Sequence, residues 1–295
     1  MDDHLDFIQF LSACGQEHII EPFRNLNRID VIPSHVLQPL DEALGLYLTI
    51  GGIERVVACW CRTHDLAMVD STLDAVLSEI LPQSLQHIVP VERMWKETAA
   101  QFARERSYDA PLRPRNAVPY WVVEHLMDAL IKQKLAVLIH PLEQIEVPYW
   151  NLIVMSRQKI YPTDTGLYRR MAGLDYADVT TDNPRLGRFR GILTEAFVLR
   201  SLASLDVPLF FWNDGNTAEV DFIADFNQTL IPIEVKTSTN VKSHSLAVYR
   251  HKYLPSIALR YSKLNVKLDD ELLNIPLSCI WLTERLMMLA RKVLG

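Results

Sequence analysis

A few charged residues stand where strand geometry gathers side chains. The segment AEVDFIADFNQTLIPIEVK (218–236) holds two runs rich in β-branched and aromatic residues, 220–226 and 230–235, around the polar pair Asn227-Gln228. That is the pattern of a β-hairpin. Side chains alternate between the two faces of a strand. Glu219 and Asp221 are therefore expected on one face, with Val220 and Phe222 on the other. In the second strand Glu234 and Lys236 share a face, and Ile233 and Val235 point away. If the two charged faces coincide, carboxylates and one ammonium meet on a sheet whose other face is core. Hard divalent cations, Mg²⁺ or Mn²⁺, take such oxygen ligands. An ammonium beside them can orient a water or stabilise charge on a phosphate.

The spacing of Asp221 to Glu234-Val235-Lys236 resembles the active site of the restriction-endonuclease-like nucleases, the PD-(D/E)xK superfamily. The resemblance makes Asp221 the acid of the second core strand and Glu234-Val235-Lys236 the E-x-K of the third. It implies a catalytic set of Glu195, Asp221, Glu234 and Lys236. Asp221, Glu234, the carbonyl of Val235 and Glu195 would hold the metal, and Glu219 would stay outside the ligand set. Glu195 also stands out by itself. Its neighbours at three and four residues are Gly191, Ile192, Val198 and Leu199, none of them polar. A carboxylate among apolar neighbours needs a partner or a metal.

Composition narrows the class. At 295 residues the chain has room for two or three domains. Its 49% hydrophobic and 22% charged residues suit a folded chain rather than a disordered one. No apolar run reaches the roughly eighteen residues of a membrane span, and the acidic start MDDHLDFIQF is unlike a secretion signal. Cys14, Cys59, Cys61 and Cys279 show no disulfide-framework spacing, which points to a reducing cytoplasm. The run CWCRTH has no second half and is not expected to hold zinc. Residues 151–295 carry 18 Lys+Arg against 15 Asp+Glu, and the first 150 carry 12 against 21. The second half is thus the better candidate for a nucleic-acid surface.

Along the chain, residues 36–48 read as a helix that stops at Gly51-Gly52, and another helix follows. This helix–Gly-Gly–helix pattern resembles the lid of prokaryotic AAA-type ATPases that carry an endonuclease-like domain at the C-terminus. KIYPTDTGLYRR (159–170) resembles their K-x-Y-x-x-D-x-G-L signature, and SHSLAVYRHKYL (243–254) resembles a further segment of the same family. There is no G-x-x-x-x-G-K-[ST] in the chain, nor any Gly-Lys pair, so no ATP binding of the family's kind is expected. The sequence reads as the C-terminal part of such a protein.

Residues 66–162 read as a winged helix, with helices over 73–81, 91–106 and 118–131 and strands over 135–140 and 152–161. In the third helix Val122, Val123, Leu126, Met127 and Leu130 form the core side, and the outer Glu124 and Asp128 disfavour phosphate contact. Asp164 is expected as a turn or cap residue. Residues 173–190 read as loop, with Asp182 among their acids. Arg185, Arg188 and Arg190 follow as a basic cluster before the Glu195 helix, and Arg250 and Lys252 are further candidates for nucleic-acid contact. Strands are expected at 209–213, 257–262 and 275–282, a helix at 243–254 and a surface helix from about 284.

The expected fold is α/β and α. It comprises a helical lid-like segment (1–65), a winged-helix-like domain (66–162) and a restriction-endonuclease-like domain with a mixed central sheet (163–295). The expected function is Mg²⁺- or Mn²⁺-dependent action on DNA, by phosphodiester hydrolysis. The alternative is a non-catalytic DNA- or protein-binding or oligomerisation module that retains the nuclease fold. The partners that go with these readings are DNA and a second copy or an ATPase subunit, with no membrane.

Overall fold

The computed structural model describes residues 4–110, 118–181, 183–215, 217–238, 241 and 243–295. Asp182 lies outside them. The fold is mixed α/β, with a helical N-terminal region and a six-stranded mixed sheet in the C-terminal part. No described helix is long and apolar enough to cross a membrane. Two compact units divide the chain. The first takes Met1–Gly15, Gly45–Ile139 and Ser156–Phe197; the second takes Gln16–Leu44, His140–Met155 and Val198–Gly295.

The first unit contains α1 (Phe7–Ala13), the end of α2 (Ser34–Ile50), α3 (Glu54–Thr63), α4 (Leu66–Ile80), α5 (Val91–Ala99), α6 (Tyr120–Lys132), α7 (Thr165–Ala172), α8 (Tyr176–Thr180) and the start of α9 (Gly187–Ala203). Its small antiparallel sheet has the order β1 (Arg106–Ser107), β3 (Arg157–Pro162), β2 (Ala136–Ile139). In α6 the five residues expected in the core are the five that are buried. Glu124 and Asp128 on its outer side act electrostatically on Arg106 of β1, so this acidic face answers a strand of its own unit. Three expectations change here. The helix begun at residue 91 ends at Ala99, and Ala103 follows with φ +55°, a conformation that a helix interior does not hold. Trp150–Leu152 is a 3₁₀ turn, and the strand expected from 152 starts only at Arg157. Residues 173–190 are not all loop. Asp175 and Asp178 cap α8 reciprocally, and α9 starts at Gly187.

The two signatures noted in sequence, Gly51-Gly52 and Asp164-x-Gly166, form one lock in this unit. Asp164 is 1% exposed. Its carboxylate caps α7 by accepting from Leu167 N at 2.6 Å, accepts from Gly52 N at 2.7 Å and lies 2.8 Å from His4 Nε2. Gly51 has φ +82°, and a Cβ there would lie 2.3 Å from Asp164 Oδ1. At Gly166 a Cβ would lie 2.0 Å from the Ile50 carbonyl oxygen, which is backbone and cannot yield. Next to them the buried Arg169 donates to Thr49 O at 2.9 Å and to Leu174 O at 2.6 Å, and pairs with Asp70. A cation at the end of α2 opposes the partial negative charge of its last carbonyls. Asp164 is thus the cap residue that the sequence leads one to expect, and it ties that cap to the Gly51-Gly52 helix stop.

The second unit carries the large sheet, in the order β4 (Leu209–Asn213), β5 (Glu219–Asp225), β6 (Leu230–Val235), β7 (Ala258–Ser262), β9 (Leu272–Pro276), β8 (Lys267–Asp269). Pairing is antiparallel for β4–β5, β5–β6 and β8–β9, and parallel for β6–β7 and β7–β9. The helix α10 (His244–Tyr253) precedes β7 and buries Leu246 and Tyr249. Residues 275–282 are not a strand. The ladder ends at Pro276, which has no N–H to donate, and Leu277–Leu282 is a 3₁₀ helix. The last helix, α11 (Thr283–Leu294), is an amphipathic surface helix with Arg291 and Lys292 exposed, as expected. Leu286, Met287, Leu289 and Ala290 are buried, while Met288 and Val293 are exposed.

The β5–β6 turn has two residues, Asn227 at φ +55° and Gln228 at φ +64°, closed by reciprocal Phe226–Thr229 bonds of 3.0 and 3.2 Å. Positive φ at both positions is the hairpin turn that follows sheet twist. Glutamine bears a left-handed cost of about 1–2 kcal/mol there, partly balanced by the entropy a glycine would lose, about 0.5–1 kcal/mol. Gln228→Gly should raise stability by about 0.5 kcal/mol, read as a higher urea midpoint at unchanged slope.

Candidate functional site

The hairpin's charged end departs from simple alternation. Phe210 pairs with Ile223 and Trp212 with Val220, so β5 spends one more residue than β4 across this stretch. The extra residue falls at Asp221-Phe222. A bulge of this kind re-aims a side chain and is common beside active sites. Strict alternation expects Val220 and Phe222 on one face. Instead Val220 and Ile223 belong to the same buried cluster, with Trp212, Phe210, Tyr149 and Tyr249. Nothing in the composition of EVDFIAD marks the bulge, so the sequence alone gives the wrong face count.

The bulge sends the Asp221 carboxylate across to β6. The β5–β6 ladder runs from Asp225↔Leu230 to Phe222↔Ile233, and beyond it Asp221 Oδ2 accepts from Val235 N at 2.7 Å. Glu234 is the neighbour of Val235 on β6. Glu234 is 3% exposed. Its Oε1 is ion-paired with Lys236 Nζ, and its Oε2 is buried without a hydrogen-bond partner among the described residues. Lys236 is held through its own N–H, which donates to Tyr261 O at 2.8 Å, and its side chain is 28% exposed. Glu219 is exposed.

Two residues that sequence reading missed extend this row. Glu234 pairs with Arg260 on β7, and Arg260 with Asn274 on β9. Paired residues share a sheet face. Glu234, Arg260 and Asn274 therefore form a polar row across three strands, and the Asp221 carboxylate reaches β6 beside it at Val235 N. Arg260 donates to Asn274 Oδ1 at 3.0 Å and to Val241 O at 3.1 Å. Burial lowers the pKa of its guanidinium, and the Glu234 charge opposes that shift. A lone arginine in IALRYS carries no signal; only the register links it to Glu234.

Glu195 belongs to the first unit, where its Oε2 accepts from the fully buried Tyr161 OH at 2.8 Å. It thus has the partner its apolar surroundings required. Arg188 and Arg190 stand inside α9 rather than before it. Arg188 donates to Phe102 O at 3.1 Å, Arg190 is 8% exposed, and Arg185 is exposed. In the second unit Arg250 pairs with Glu271 at 2.8 Å. Lys252 Nζ lies over the rings of Trp212 and Tyr253, at 5.6 and 4.9 Å. Among the described residues no three His, Cys, Asp or Glu side chains are gathered so as to hold a metal. What the row and Asp221 beside it offer is a pair of carboxylates with one buried oxygen left over. That fits Mg²⁺, which commonly uses one or two carboxylates and keeps waters.

These features define a mixed-sheet α/β protein with an acidic–basic row on the bulged hairpin and its neighbours. Residues 190–280, which include Glu195 and the whole row, match the domain of unknown function DUF4143. The chain is also similar to two mycobacterial proteins, the uncharacterized proteins Mb2031c of Mycobacterium bovis and Rv2008c of Mycobacterium tuberculosis. Each is 37% identical over 104 residues, covering 33% of this chain and 23% of the relative. The chain thus matches less than a quarter of the length of these relatives. No solved structure matches.

Proposed function

We propose that the Asp221–Glu234–Lys236 hairpin is a Mg²⁺- or Mn²⁺-dependent site that hydrolyses DNA phosphodiesters. The observation that carries the reading is Glu234 Oε2, a buried carboxylate oxygen with no hydrogen-bond partner among the described residues, next to Val235, whose N–H the Asp221 carboxylate accepts. An unsatisfied buried acceptor costs about 1–3 kcal/mol, more when charged, and a cation removes that cost. Asp221 and Glu234 supply the oxygens, with the Val235 carbonyl as the further ligand. A bound divalent ion would acidify a water and stabilise charge on the phosphate. Lys236, anchored by its backbone to β7, orients the attacking water. Arg260, paired with Glu234 on the next strand, contacts the non-reacting phosphate oxygens. Glu195 has its own partner in Tyr161, and the proposal does not depend on it. DNA as substrate, and a second copy or an ATPase subunit as partner, rest on the nuclease-like and ATPase-like sequence patterns.

The second reading is a binding module without turnover. The absence of a third gathered carboxylate among the described residues favours it, as does the closed Lys236–Glu234 pair. A cleavage assay on plasmid and single-stranded DNA with Mg²⁺ or Mn²⁺ separates the two. Cleavage is expected from the wild type and should fall by about 10²-fold or more in Asp221→Ala and Lys236→Ala. Arg260→Ala should weaken DNA binding and flatten its salt dependence. Salt-dependent binding by a folded wild type that cuts none of these DNAs would give the second reading instead.

A further inference from the structure

The sequence separates Cys14 and Cys61 by 47 positions, and the first unit brings them together. Cys14 caps the C-terminus of α1, and Cys61 lies on α3, which packs against it. Their Sγ atoms are 3.2 Å apart, and Cys61 Sγ also lies 3.4 Å from the Ala13 carbonyl oxygen. A disulfide closes two sulfurs to about 2.05 Å, so the remaining approach is roughly 1.2 Å, within the reach of side-chain torsions. Both thiols are partly exposed, whereas Cys59 and Cys279 are buried. Cys59, two positions from Cys61, is on another face of α3. Access is available as well. Cys61 lines an open depression of about 670 Å³ together with Gln9, Ser12, Glu54 and Arg62.

We propose that Cys14 and Cys61 are a reversible disulfide-forming pair that exchanges with a small disulfide of the glutathione class. The Cys61 thiolate attacks one sulfur of the small disulfide; its S–S bond breaks and one thiolate leaves. Cys14, as thiolate, then attacks Cys61 Sγ and expels the second. The protein loses two protons and two electrons, and two small thiols carry them away. The order follows from the site. Burial and the neighbouring Cys61 push the Cys14 thiol up to about 12, which makes it a poor first nucleophile, while Cys61 faces the depression. The bond would tie the end of α1 to α3. It would thereby fix the N-terminal segment, whose His4 reaches Asp164.

The test is mass spectrometry of the full chain, freed of reductant and incubated, folded, with glutathione disulfide. The wild type should lose about 2 Da and retain no adduct, and alkylation after denaturation should find two thiols instead of four. Cys14→Ser should instead stop at a stable adduct of about 305 Da on Cys61, because no resolving thiol is present. Peptide mapping should place the wild-type bond between residues 14 and 61. Four alkylatable thiols after incubation, a lasting adduct on the wild type, or a bond to Cys59 or Cys279 would overturn the proposal. The wild-type readouts stand even if a serine variant folds poorly.

Discussion

Asp164→Ala should destabilise the first unit by about 3–6 kcal/mol, a large part of the 5–15 kcal/mol that holds a typical domain. One carboxylate serves three partners: it caps α7 at Leu167 N, accepts from Gly52 N and faces His4. Alanine leaves two buried N–H groups unpaired, at about 1–3 kcal/mol each, and removes the interaction with His4. The loss of the cap is the Leu167 part of that sum. Gly166→Ala should be comparably damaging, because its Cβ would fall 2.0 Å from the Ile50 carbonyl oxygen. Urea unfolding followed by circular dichroism measures both.

The pH dependence of Asp164 has a definite sign. Burial alone would raise its pKa. The His4 interaction and the Leu167 and Gly52 N–H groups outweigh burial and hold the carboxyl below its ordinary 3.8. A group whose folded pKa is depressed contributes stability above its unfolded pKa and loses it as pH falls through the folded value. The gap between wild type and Asp164→Ala should therefore be full at neutral pH and shrink only below the ordinary carboxylate range. A gap that stayed constant through acid unfolding would mean that the carboxylate's charge is not what stabilises the lock.

On the proposed metal-dependent hydrolysis, Glu234→Gln should lower cleavage by about 10²-fold or more without unfolding the protein. If the Glu234–Lys236 pair existed to hold the sheet, breaking it would cost about 3–5 kcal/mol. If Glu234 is a ligand, the metal-free protein carries a buried carboxylate with one oxygen unsatisfied, and a neutral amide of the same shape is tolerated or preferred. Lys236, already 28% exposed, can turn to solvent. The expected result in chelator is stability unchanged or higher by up to about 1 kcal/mol, with cleavage reduced by about 10²-fold or more. A loss of several kcal/mol in chelator would assign the pair to structure.

The hairpin, its turn and the nearness of Glu234 to Lys236 were legible in sequence because strand periodicity and turn chemistry are local. So was the core side of α6, where five apolar residues recur at helical spacing. Local signals stop at the bulge, since an extra residue in EVDFIAD changes no composition yet alters which side chains share a face. Arg260 and Asn274 were out of reach for a related reason. Their place in the polar row comes from parallel pairing across β6, β7 and β9, which depends on long connections. Asp164 was legible as a cap. Its bonds to Gly52 and His4, 112 and 160 positions away, were not. The strand expected at 275–282 followed apolar content and overlooked Pro276.

Titration of the wild type with Mn²⁺ in the absence of DNA, by calorimetry and by thermal unfolding, beside Glu234→Gln, Asp221→Asn and Glu219→Gln, decides whether the hairpin holds a metal. Binding is expected from the wild type and from Glu219→Gln, with a rise in Tm as Mn²⁺ saturates the folded state. Affinity should be weaker by about tenfold or more in Glu234→Gln and Asp221→Asn. A wild type that neither binds Mn²⁺ nor gains stability from it, or four proteins that respond alike, would contradict a metal site on this hairpin.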